Sequence, residues 1–421
     1  MKVTVVGAGW VGIISAATLA HLGHDVLLTD NREERIVALE RGDLPFFEPD
    51  LSELFLAQLS AGKLRVVLAS PEAMAQADIV LCSVGTPPSP NGAADLNAVF
   101  EVARDFGRGV ERGSVFVVRS TVPPGTGRLC QEIIGEELRL RGVTRPYAIA
   151  SNPEFLAEGT AIRDSLQPER IIIGSESEVG ESALKELYAP LLAQGVPLLS
   201  TNIPTSELAK YAANAFLATK ISFINEIANY AELVGASAQD VAKGMGMDSR
   251  IGPKFLKPGI GYGGSCLPKD VRALIAAGKE VGYRFQIIPE VDRVNVGQRV
   301  RMYESFLGML GGVKGRRIVI WGVSYKPGTD DTRESPALYF IDRLIREGAE
   351  VITCDPKVGQ KITEQFPQVE VATDPESSLR GADALVLLTE WPEFAAYSLS
   401  ELRTRMRSGI VLDARGFLRK R

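Results

Sequence analysis

The chain has 421 residues, of which 45% are hydrophobic and 24% are charged, and its formal net charge is −5. This composition is that of a globular protein with enough apolar material for two or three domains, so a disordered or fibrous chain is excluded. The acidic balance and the scattered basic residues argue against nucleic-acid binding, and the short basic end Arg419–Arg421 is predicted to be solvated. No apolar run reaches the length of a membrane span.

The first element predicts a dinucleotide-binding turn. A short strand, Val3 to Val6, leads into Gly7-Ala8-Gly9-Trp10-Val11-Gly12 and then into an apolar helical pattern. In this context Gly7 permits the tight turn, Gly9 lets a pyrophosphate approach, and Gly12 allows close helix packing. A second strand ends at Asp30, where a carboxylate would meet the ribose 2′-hydroxyl of NAD. Nearby Arg32 and Arg35 leave NADP open as an alternative.

Further strands are predicted between helical stretches at 64–69, 77–83, 114–119, 147–150 and 170–174, which indicates a mostly parallel sheet. Ligands bind at the carboxyl ends of such strands. There the chain has Ser83 to Pro87 and Ser120 to Pro123, whose hydroxyls could line the nicotinamide side of a cofactor; ordinary turn composition is the alternative.

Asn152-Pro153-Glu154 is predicted to open a helix, with Asn152 as its cap. Glu154 and Glu158 would then lie one turn apart on one face, as a pair for proton transfer. The alternative is that they only complement the helix dipole.

The longest periodic stretch, Thr205 to about Val234, predicts one helix of roughly 45 Å, long enough to span domains. Lys210 and Asn214 share a face in an apolar neighbourhood; an ordinary snorkelling lysine is the alternative. The helix is apolar all round, so a homodimer that covers it is expected.

Gly261-Tyr-Gly-Gly-Ser-Cys-Leu-Pro-Lys-Asp270 has the composition of a reactive site. Its glycines would let backbone approach a ligand closely, and Cys266 is a soft nucleophile. The nearby Lys269 and a helix beginning after Pro268 would favour the thiolate, whereas an inert buried cysteine is the alternative. The four cysteines, at positions 82, 130, 266 and 354, have no metal-binding spacing and suit a reducing cytoplasm, so no metal is expected.

A second α/β unit follows the glycine-rich stretch 310–315. Its first turn, Gly322 to Gly328, carries Lys326 where close glycine packing would be needed, so a second dinucleotide site is not expected. Lys326, Arg333 and Arg415 could hold the phosphates of another nucleotide, and plain surface charge is the alternative.

Six motifs in this order carry a resemblance: Gly-Ala-Gly-Trp-Val-Gly (7–12), Ser-Thr-Val-Pro-Pro-Gly-Thr (120–126), Ser-Asn-Pro-Glu-Phe-Leu-Ala-Glu-Gly (151–159), Lys-Tyr-Ala-Ala-Asn-Ala-Phe-Leu-Ala (210–218), the decapeptide 261–270 and Asp-Thr-Arg-Glu-Ser (331–335). By them the chain resembles the UDP-glucose/GDP-mannose dehydrogenase family nearly end to end, and its UDP-glucose branch in particular. The segment at Arg415 fits the family pattern only in part.

The fold class that follows is α/β, with two Rossmann-like doubly wound domains joined by a long central helix and a small helical domain. The expected domains are a NAD-binding domain at 1–200, a central helical domain at 201–310 that contains Cys266, and a C-terminal UDP-sugar-binding domain at 311–421.

The resemblance, together with the motif, implies three sets of site residues. NAD contacts are expected from Gly7, Gly9, Trp10, Val11, Gly12, Asp30, Arg35, Ser83, Thr86, Thr121, Glu158 and Arg333. UDP-glucose contacts are expected from Glu154, Phe155, Leu156, Lys210, Asn214, Arg250, Phe255, Gly261, Lys326 and Arg415. Catalytic roles are expected for Cys266, Lys210, Asn214, Asp270, Thr121, Glu154 and Glu158.

Oxidation of a primary alcohol to an acid removes four electrons, and a cysteine can hold the intermediate aldehyde as a thiohemiacetal and then a thioester. His21 and His24 are the only histidines, so lysine and carboxylates must transfer the protons. Two rivals remain: a two-electron β-hydroxyacid-type dehydrogenase, which needs no cysteine, and a dehydrogenase of another nucleotide sugar, such as a UDP-N-acetylhexosamine or GDP-mannose.

Overall fold

A computed structural model describes residues 1–144 and 146–418, so the predicted basic end at Arg419–Arg421 lies outside the described residues. The chain divides into two compact units, Met1–Ala213 and Asn214–Arg421. Within the described residues, no helix is long and apolar enough to cross a membrane.

The first unit is built on an eight-stranded sheet. Its strands are β1 Lys2–Val6, β2 Asp25–Asp30, β3 Leu64–Leu68, β4 Ile79–Cys82, β5 Ser114–Val118, β6 Tyr147–Ser151, β7 Ile171–Ser175 and β8 Leu198–Thr201. They lie in the order β3-β2-β1-β4-β5-β6-β7-β8, and every neighbouring pair is parallel except β6 with β7. The predicted strands are therefore present and mostly parallel, and β8 is an additional strand that the sequence pattern missed.

Helices cover both faces of this sheet. They are α1 Trp10–His21, α2 Glu33–Glu40, α3 Leu51–Ser60, α4 Asn97–Gly109, α5 Thr126–Leu140, α6 Ala161–Leu166, α7 Glu178–Leu187 and α8 Ala189–Leu192. Successive strand residues point to opposite faces, so Ile79 and Leu81 belong to one buried cluster and Val80 and Cys82 to another. Such strands, buried on both faces, are typical of a doubly wound parallel sheet.

The long helix α9, Ile203–Val234, begins in the first unit and continues into the second, as its predicted length required. The second unit then contains α10 Ala238–Gly246, α11 Leu267–Glu280, α12 Ile288–Leu310, α13 Pro336–Arg346, α14 Ile362–Gln365, α15 Pro375–Ser378 and α16 Leu399–Arg405.

The second unit has a five-stranded parallel sheet in the order β11-β10-β9-β12-β13. Its strands are β9 Arg317–Trp321, β10 Glu350–Cys354, β11 Glu370–Val371, β12 Ala384–Leu387 and β13 Ile410–Asp413. Alternate residues of β9 again enter two separate clusters, Ile318 and Ile320 on one side and Val319 and Trp321 on the other. Both sheets therefore have the Rossmann strand order, which confirms the predicted fold class.

Candidate active site

The turn after β1 has the geometry that its glycines predicted. Gly7 has φ +103°, in the left-handed region that glycine adopts readily. A Cβ on Gly12 would overlap the carbonyl oxygen of Gly7, whereas a Cβ on Gly9 would meet no atom within 4 Å. Gly12 is thus needed for packing of α1 on the strand, and the open space at Gly9 is where a pyrophosphate can approach.

Asp30, at the end of β2, is 6% exposed and ties this turn to the sheet. Its Oδ2 accepts the N–H of Ala8 at 2.9 Å, and its Oδ1 accepts Nε of Arg32 at 2.9 Å. Burial alone would raise the pKa of this carboxyl, but the bonds from Arg32 and Ala8 lower it below the ordinary value. The Asp30 carboxylate is therefore already paired with Arg32. Arg35 lies beside the same turn and donates from Nη1 to the carbonyl of Ala8 at 3.2 Å.

The loops after β4 and β5 are bonded to each other. The hydroxyl of Thr86 donates to the carbonyl of Thr121 at 2.9 Å, and that of Ser120 donates to the carbonyl of Val84 at 2.6 Å. Among the residues that the structure describes, the buried hydroxyl oxygen of Ser83 has no hydrogen-bond partner. Because an orphaned buried hydroxyl requires a partner, this position fits a bound cofactor.

Lys210 is buried rather than snorkelling, with 3% of its surface exposed, and its Nζ lies 2.8 Å from Oε1 of Glu154. Glu154 is 4% exposed, and its Oε2 accepts the N–H of Leu156 at 2.6 Å. Burial alone would raise the pKa of the Glu154 carboxyl. Lys210, the Leu156 amide and Arg119 together lower it below its usual value. The pair is thus a charged lysine held by an ionised carboxylate.

The predicted helix at Asn152 is wrong, because residues 152–157 form an irregular loop and α6 begins only at Ala161. The Asn152 side chain cannot cap a helix there, since it donates to the carbonyl of Ile172 and accepts from the hydroxyl of Tyr188. Glu154 and Glu158, although both buried, are therefore loop residues rather than neighbours on a helix face.

A second carboxylate, Glu48, organises the end of this loop. It is 4% exposed and accepts the N–H groups of Gly159 at 2.9 Å and Ala161 at 2.8 Å. It also accepts the indole Nε1–H of Trp10, in the dinucleotide turn, at 3.3 Å. Glu48 was not predicted as a site residue, because nothing in its local sequence pattern distinguishes it from a surface glutamate.

In the second unit, Asn214 and Asp270 form a buried polar pair. Nδ2 of Asn214 donates to Oδ2 of Asp270 at 2.6 Å, and Nζ of Lys269 lies 2.6 Å from Oδ1. Asp270 is 1% exposed. Lys269 is therefore paired with Asp270.

Cys266 is partly exposed and occupies the N-cap position of α11, which begins at Leu267. Its carbonyl accepts the N–H of Asp270 at 2.9 Å, and its Sγ lies 3.6 Å from the hydroxyl of Ser265. A sulfur at the start of a helix is close to the positive end of the dipole, which favours the thiolate. The other three cysteines are buried, and burial raises the pKa of Cys82 to about 12.

The glycines before Cys266 make room for the protein itself. A Cβ on Gly264, where φ is +84°, would lie 2.7 Å from the ring of Tyr325, and one on Gly263 would overlap the carbonyl oxygen of Glu334. The loop at Gly261 is held by amide side chains, since Asn295 exchanges two hydrogen bonds with the backbone of Tyr262, at 2.8 and 3.0 Å. At Gly263 and Gly264, glycine is therefore required by packing within the unit rather than, as expected, by the close approach of a ligand.

As in the first sheet, an aspartate at the end of the second strand is bonded to the turn after the first strand. Oδ2 of Asp355, directly after β10, accepts the N–H groups of Val323 at 2.7 Å and Ser324 at 3.0 Å. It also accepts the indole N–H of Trp391 at 3.1 Å. This carboxylate is therefore bonded to donors of the protein, as Asp30 is in the first sheet. Lys326 follows in the same turn, with Nζ 5.5 Å from the centre of the Tyr325 ring.

Arg415 is a structural contact of the second unit. It donates to the carbonyls of Leu388 at 2.7 Å, Tyr325 at 3.2 Å and Gly261 at 3.4 Å, and it pairs with Glu390 at 3.2 Å. Burial lowers its pKa. The side chain thus holds the Gly261 loop, whatever else it contacts.

The remaining predicted contacts lie on more open surfaces. Arg250 and Arg333 are paired with Asp248 at 2.6 Å and Asp331 at 2.7 Å, and their side chains are 87% and 64% exposed. Phe255 is 43% exposed and has φ +65°, unusual for a bulky residue. Phe155 lies under the guanidinium of Arg170, 3.9 Å from the ring centre.

Comparison with known proteins places these features in one family. Residues 1–192 match the NAD binding domain of the UDP-glucose/GDP-mannose dehydrogenase family, residues 204–296 its central domain, and residues 319–420 its UDP binding domain. The chain belongs to the UDP-glucose/GDP-mannose dehydrogenase family. The prediction from the sequence motifs is thereby confirmed.

Individual members of this family match over nearly the whole chain. The UDP-glucose 6-dehydrogenase of Pseudomonas aeruginosa is 42% identical over 99% of this chain and 93% of its own length. A UDP-glucose dehydrogenase structure from the archaeon Pyrobaculum islandicum aligns with TM-score 0.92 and 34% identity, covering 98% and 97% of the two chains. A UDP-D-ManNAc dehydrogenase structure from Pyrococcus horikoshii aligns with TM-score 0.87 and 28% identity, covering 100% and 97%.

As in the rest of this family, NAD is the cofactor of the N-terminal domain. The open space at Gly9, the orphaned Ser83 hydroxyl and the Asp30 carboxylate fit that dinucleotide. Among the described residues, no cluster of three or more histidine, cysteine, aspartate or glutamate side chains could hold a metal ion.

Proposed function

We propose that the protein oxidises UDP-glucose to UDP-glucuronate in two successive steps, each coupled to one NAD. The observation that carries the proposal is Cys266 at the start of α11, followed by the buried Asp270 that Asn214 holds. A two-electron β-hydroxyacid-type dehydrogenase has no use for such a cysteine. The named relatives support UDP-glucose as the substrate.

The chemistry needs a group that retains the aldehyde. Removal of a hydride and a proton from the C6 alcohol gives an aldehyde, and addition of the Cys266 thiolate, followed by protonation of the oxyanion, gives a thiohemiacetal. Loss of a second hydride and proton gives a thioester, which water hydrolyses to the acid with return of the thiol. When bound, NAD accepts the hydride of each oxidation.

Lys210 and Asn214 are proposed to stabilise the oxyanions along this path. The ionised Glu154 keeps Lys210 charged, and it assists thioester hydrolysis as a base. Asp270 and Thr121 are proposed to position water, and Glu158 to contact both NAD and the sugar.

The substrate is proposed to bind with its diphosphate toward Lys326 in the C-terminal part of the chain. This follows the proposed division into a NAD-binding domain at 1–200, a central domain at 201–310 and a UDP-sugar domain at 311–421. The family's UDP binding domain, matched over 319–420, supports it.

A homodimer is proposed through the outer face of α9. Phe216, Phe223 and Tyr230 recur every seven residues on that helix and are 65%, 47% and 64% exposed. Large aromatic side chains in such a row form an apolar stripe that a second copy can cover.

The four free cysteines support a reducing cytoplasm as the location.

The deciding experiment is NADH release with a panel of UDP-glucose, UDP-galactose, a UDP-N-acetylhexosamine and GDP-mannose. UDP-glucose should react and yield two NADH per sugar. Turnover of the N-acetylhexosamine alone would overturn the substrate assignment in favour of the kind of reaction named for the P. horikoshii neighbour. One NADH per sugar would indicate a two-electron enzyme.

The thioester is tested with Cys266→Ser. Serine can add to the aldehyde, but its ester hydrolyses more slowly than a thioester, so an acyl-enzyme should accumulate. Intact mass spectrometry after incubation with UDP-glucose and NAD should show the added uronyl nucleotide. Turnover of the variant to free acid at the wild-type rate would contradict the mechanism. Cys354→Ser, at a buried thiol in the C-terminal sheet, is the control and should behave as wild type.

A further inference from the structure

The buried glutamate Glu207 is not used by the mechanism above. It lies on α9, three residues before Lys210, and is 2% exposed. Its two carboxylate oxygens accept the backbone N–H groups of Gly125 at 2.6 Å and Gly127 at 2.7 Å. Gly125 is the N-cap of α5 and ends the loop that carries Thr121 (residues 120–125, the Thr121 loop), and Gly127 is the second residue of α5.

The Thr121 loop is thereby fixed at both ends. Near its start, Ser120 and Thr121 are bonded to the loop after β4. At its end, Glu207 joins it to α9. Residues three apart on a helix lie on the same side, so one turn of α9 carries both this anchor and Lys210.

The packing around Glu207 leaves little room for a larger residue at position 127. A Cβ on Gly127 would lie 2.7 Å from Ile203 and 3.3 Å from Glu207 itself. Within the described residues, no cation pairs with Glu207: Lys210 is paired with Glu154, and Arg128 on α5 with Glu132. The titratable neighbour is Cys130 on α5, a thiol whose own pKa is raised by burial and by this carboxylate, so that it stays neutral.

We propose that Glu207, as a carboxylate, is a positioning residue that holds the Thr121 loop in register with Lys210. The inference rests on the proposed function for its kinetic test. Both oxygens must accept an N–H, and only the ionised form does this well, because a proton on one oxygen faces the donor opposite. Burial raises the pKa of Glu207 to about 7, so its charge changes within the working pH range.

Glu207→Gln imitates the protonated form, since its amide presents one acceptor and one donor to the two N–H groups. We therefore compare kcat at saturating UDP-glucose and NAD from pH 6 to pH 8. The ratio of wild type to Glu207→Gln should be about tenfold at pH 8 and fall to about twofold at pH 6, where most wild-type Glu207 is protonated. Other titrating groups act on both proteins and cancel in the ratio.

Glu132→Gln, at an exposed glutamate on the same α5, is the matched control, and its ratio should not change with pH. A pH-independent ratio for Glu207→Gln would overturn the proposal. A wild-type protein that oxidises no UDP-glucose would instead overturn the proposed function.

A measurement on the wild-type protein without substrate tests the role of Glu207 separately from the proposed function. It also does not depend on the folding of a variant. Hydrogen exchange of residues 120–127, corrected for intrinsic rates, should show the Gly125 and Gly127 amides several-fold better protected at pH 8 than at pH 6. Equal protection at both pH values would also overturn the role of the carboxylate.

Discussion

Lys210 and Glu154 are buried as a charged pair, and removal of one member has a cost that removal of both does not. In Lys210→Met, the Glu154 carboxylate, which is 4% exposed, would remain buried but would lose the lysine that pairs with it. A buried charge left unpaired typically costs about 3–5 kcal/mol of stability. We expect Lys210→Met to lower the stability of the first unit by about that amount.

The double variant Lys210→Met/Glu154→Gln is the control for this prediction. It should regain much of the lost stability, because the uncompensated charge is gone, yet it should show no oxidation of UDP-glucose. Thermal unfolding followed by calorimetry, with NADH release on the same samples, measures both. A double variant no more stable than Lys210→Met would contradict the expected coupling.

The raised pKa of Glu207 predicts that the stability of the protein falls as the pH rises, whereas its activity relative to Glu207→Gln increases. Its pKa in the folded state, about 7, is raised above the ordinary 4.5, so folding favours the protonated form. The stabilisation is complete below about pH 4.5 and is lost as the pH rises to about 7. Relative to Glu207→Gln, the wild type should lose about 3 kcal/mol over that range. Denaturation at pH 5 and pH 8 checks this, and a constant difference would be inconsistent with a buried titrating carboxylate.

At the scale of elements, the β1–α1 turn separates packing from ligand binding. Gly12→Ala should destabilise the protein without cofactor by about 3 kcal/mol, because the new Cβ would overlap the Gly7 carbonyl. Gly9→Ala, where the Cβ meets nothing, should leave that stability unchanged and weaken NAD binding. Unfolding midpoints and NAD titration by calorimetry distinguish the two. Equal loss of stability in both variants would show that Gly9 is also a packing residue.

The elements predicted well were those set by local periodicity. Apart from β8, the strands of the first sheet and the helix α9 followed from alternation and from a long stretch without glycine or proline. The helix at Asn152 failed because a tertiary contact, with Ile172 and Tyr188, used the side chain that a local rule assigned to a cap. Glu48 and Glu207 were missed because their partners are distant backbone amides. A signal for Glu207 was present, since it is an acid on the same side of α9 as Lys210.

At the scale of the whole molecule, the stripe on α9 predicts assembly. Phe223→Glu should place a charge in the proposed dimer contact and shift the protein to a monomer in light scattering at micromolar concentration. Glu226→Gln, at an exposed position one turn away, is the control and should leave the mass unchanged. A Phe223→Glu protein of unchanged mass would exclude this face of the helix as the contact.

The two sheets also share an acid at the end of the second strand, Asp30 in one and Asp355 in the other, and each accepts a backbone N–H from the first turn. If both descend from one duplicated ancestor, this shared bond is the older use of the carboxylate, and dinucleotide recognition was added to one copy. In the other copy, the side chains of Trp391 and Ser324 also donate to the carboxylate of Asp355. An engineer who wished to introduce dinucleotide binding into the second copy would therefore have to remove the tryptophan before adding any glycine.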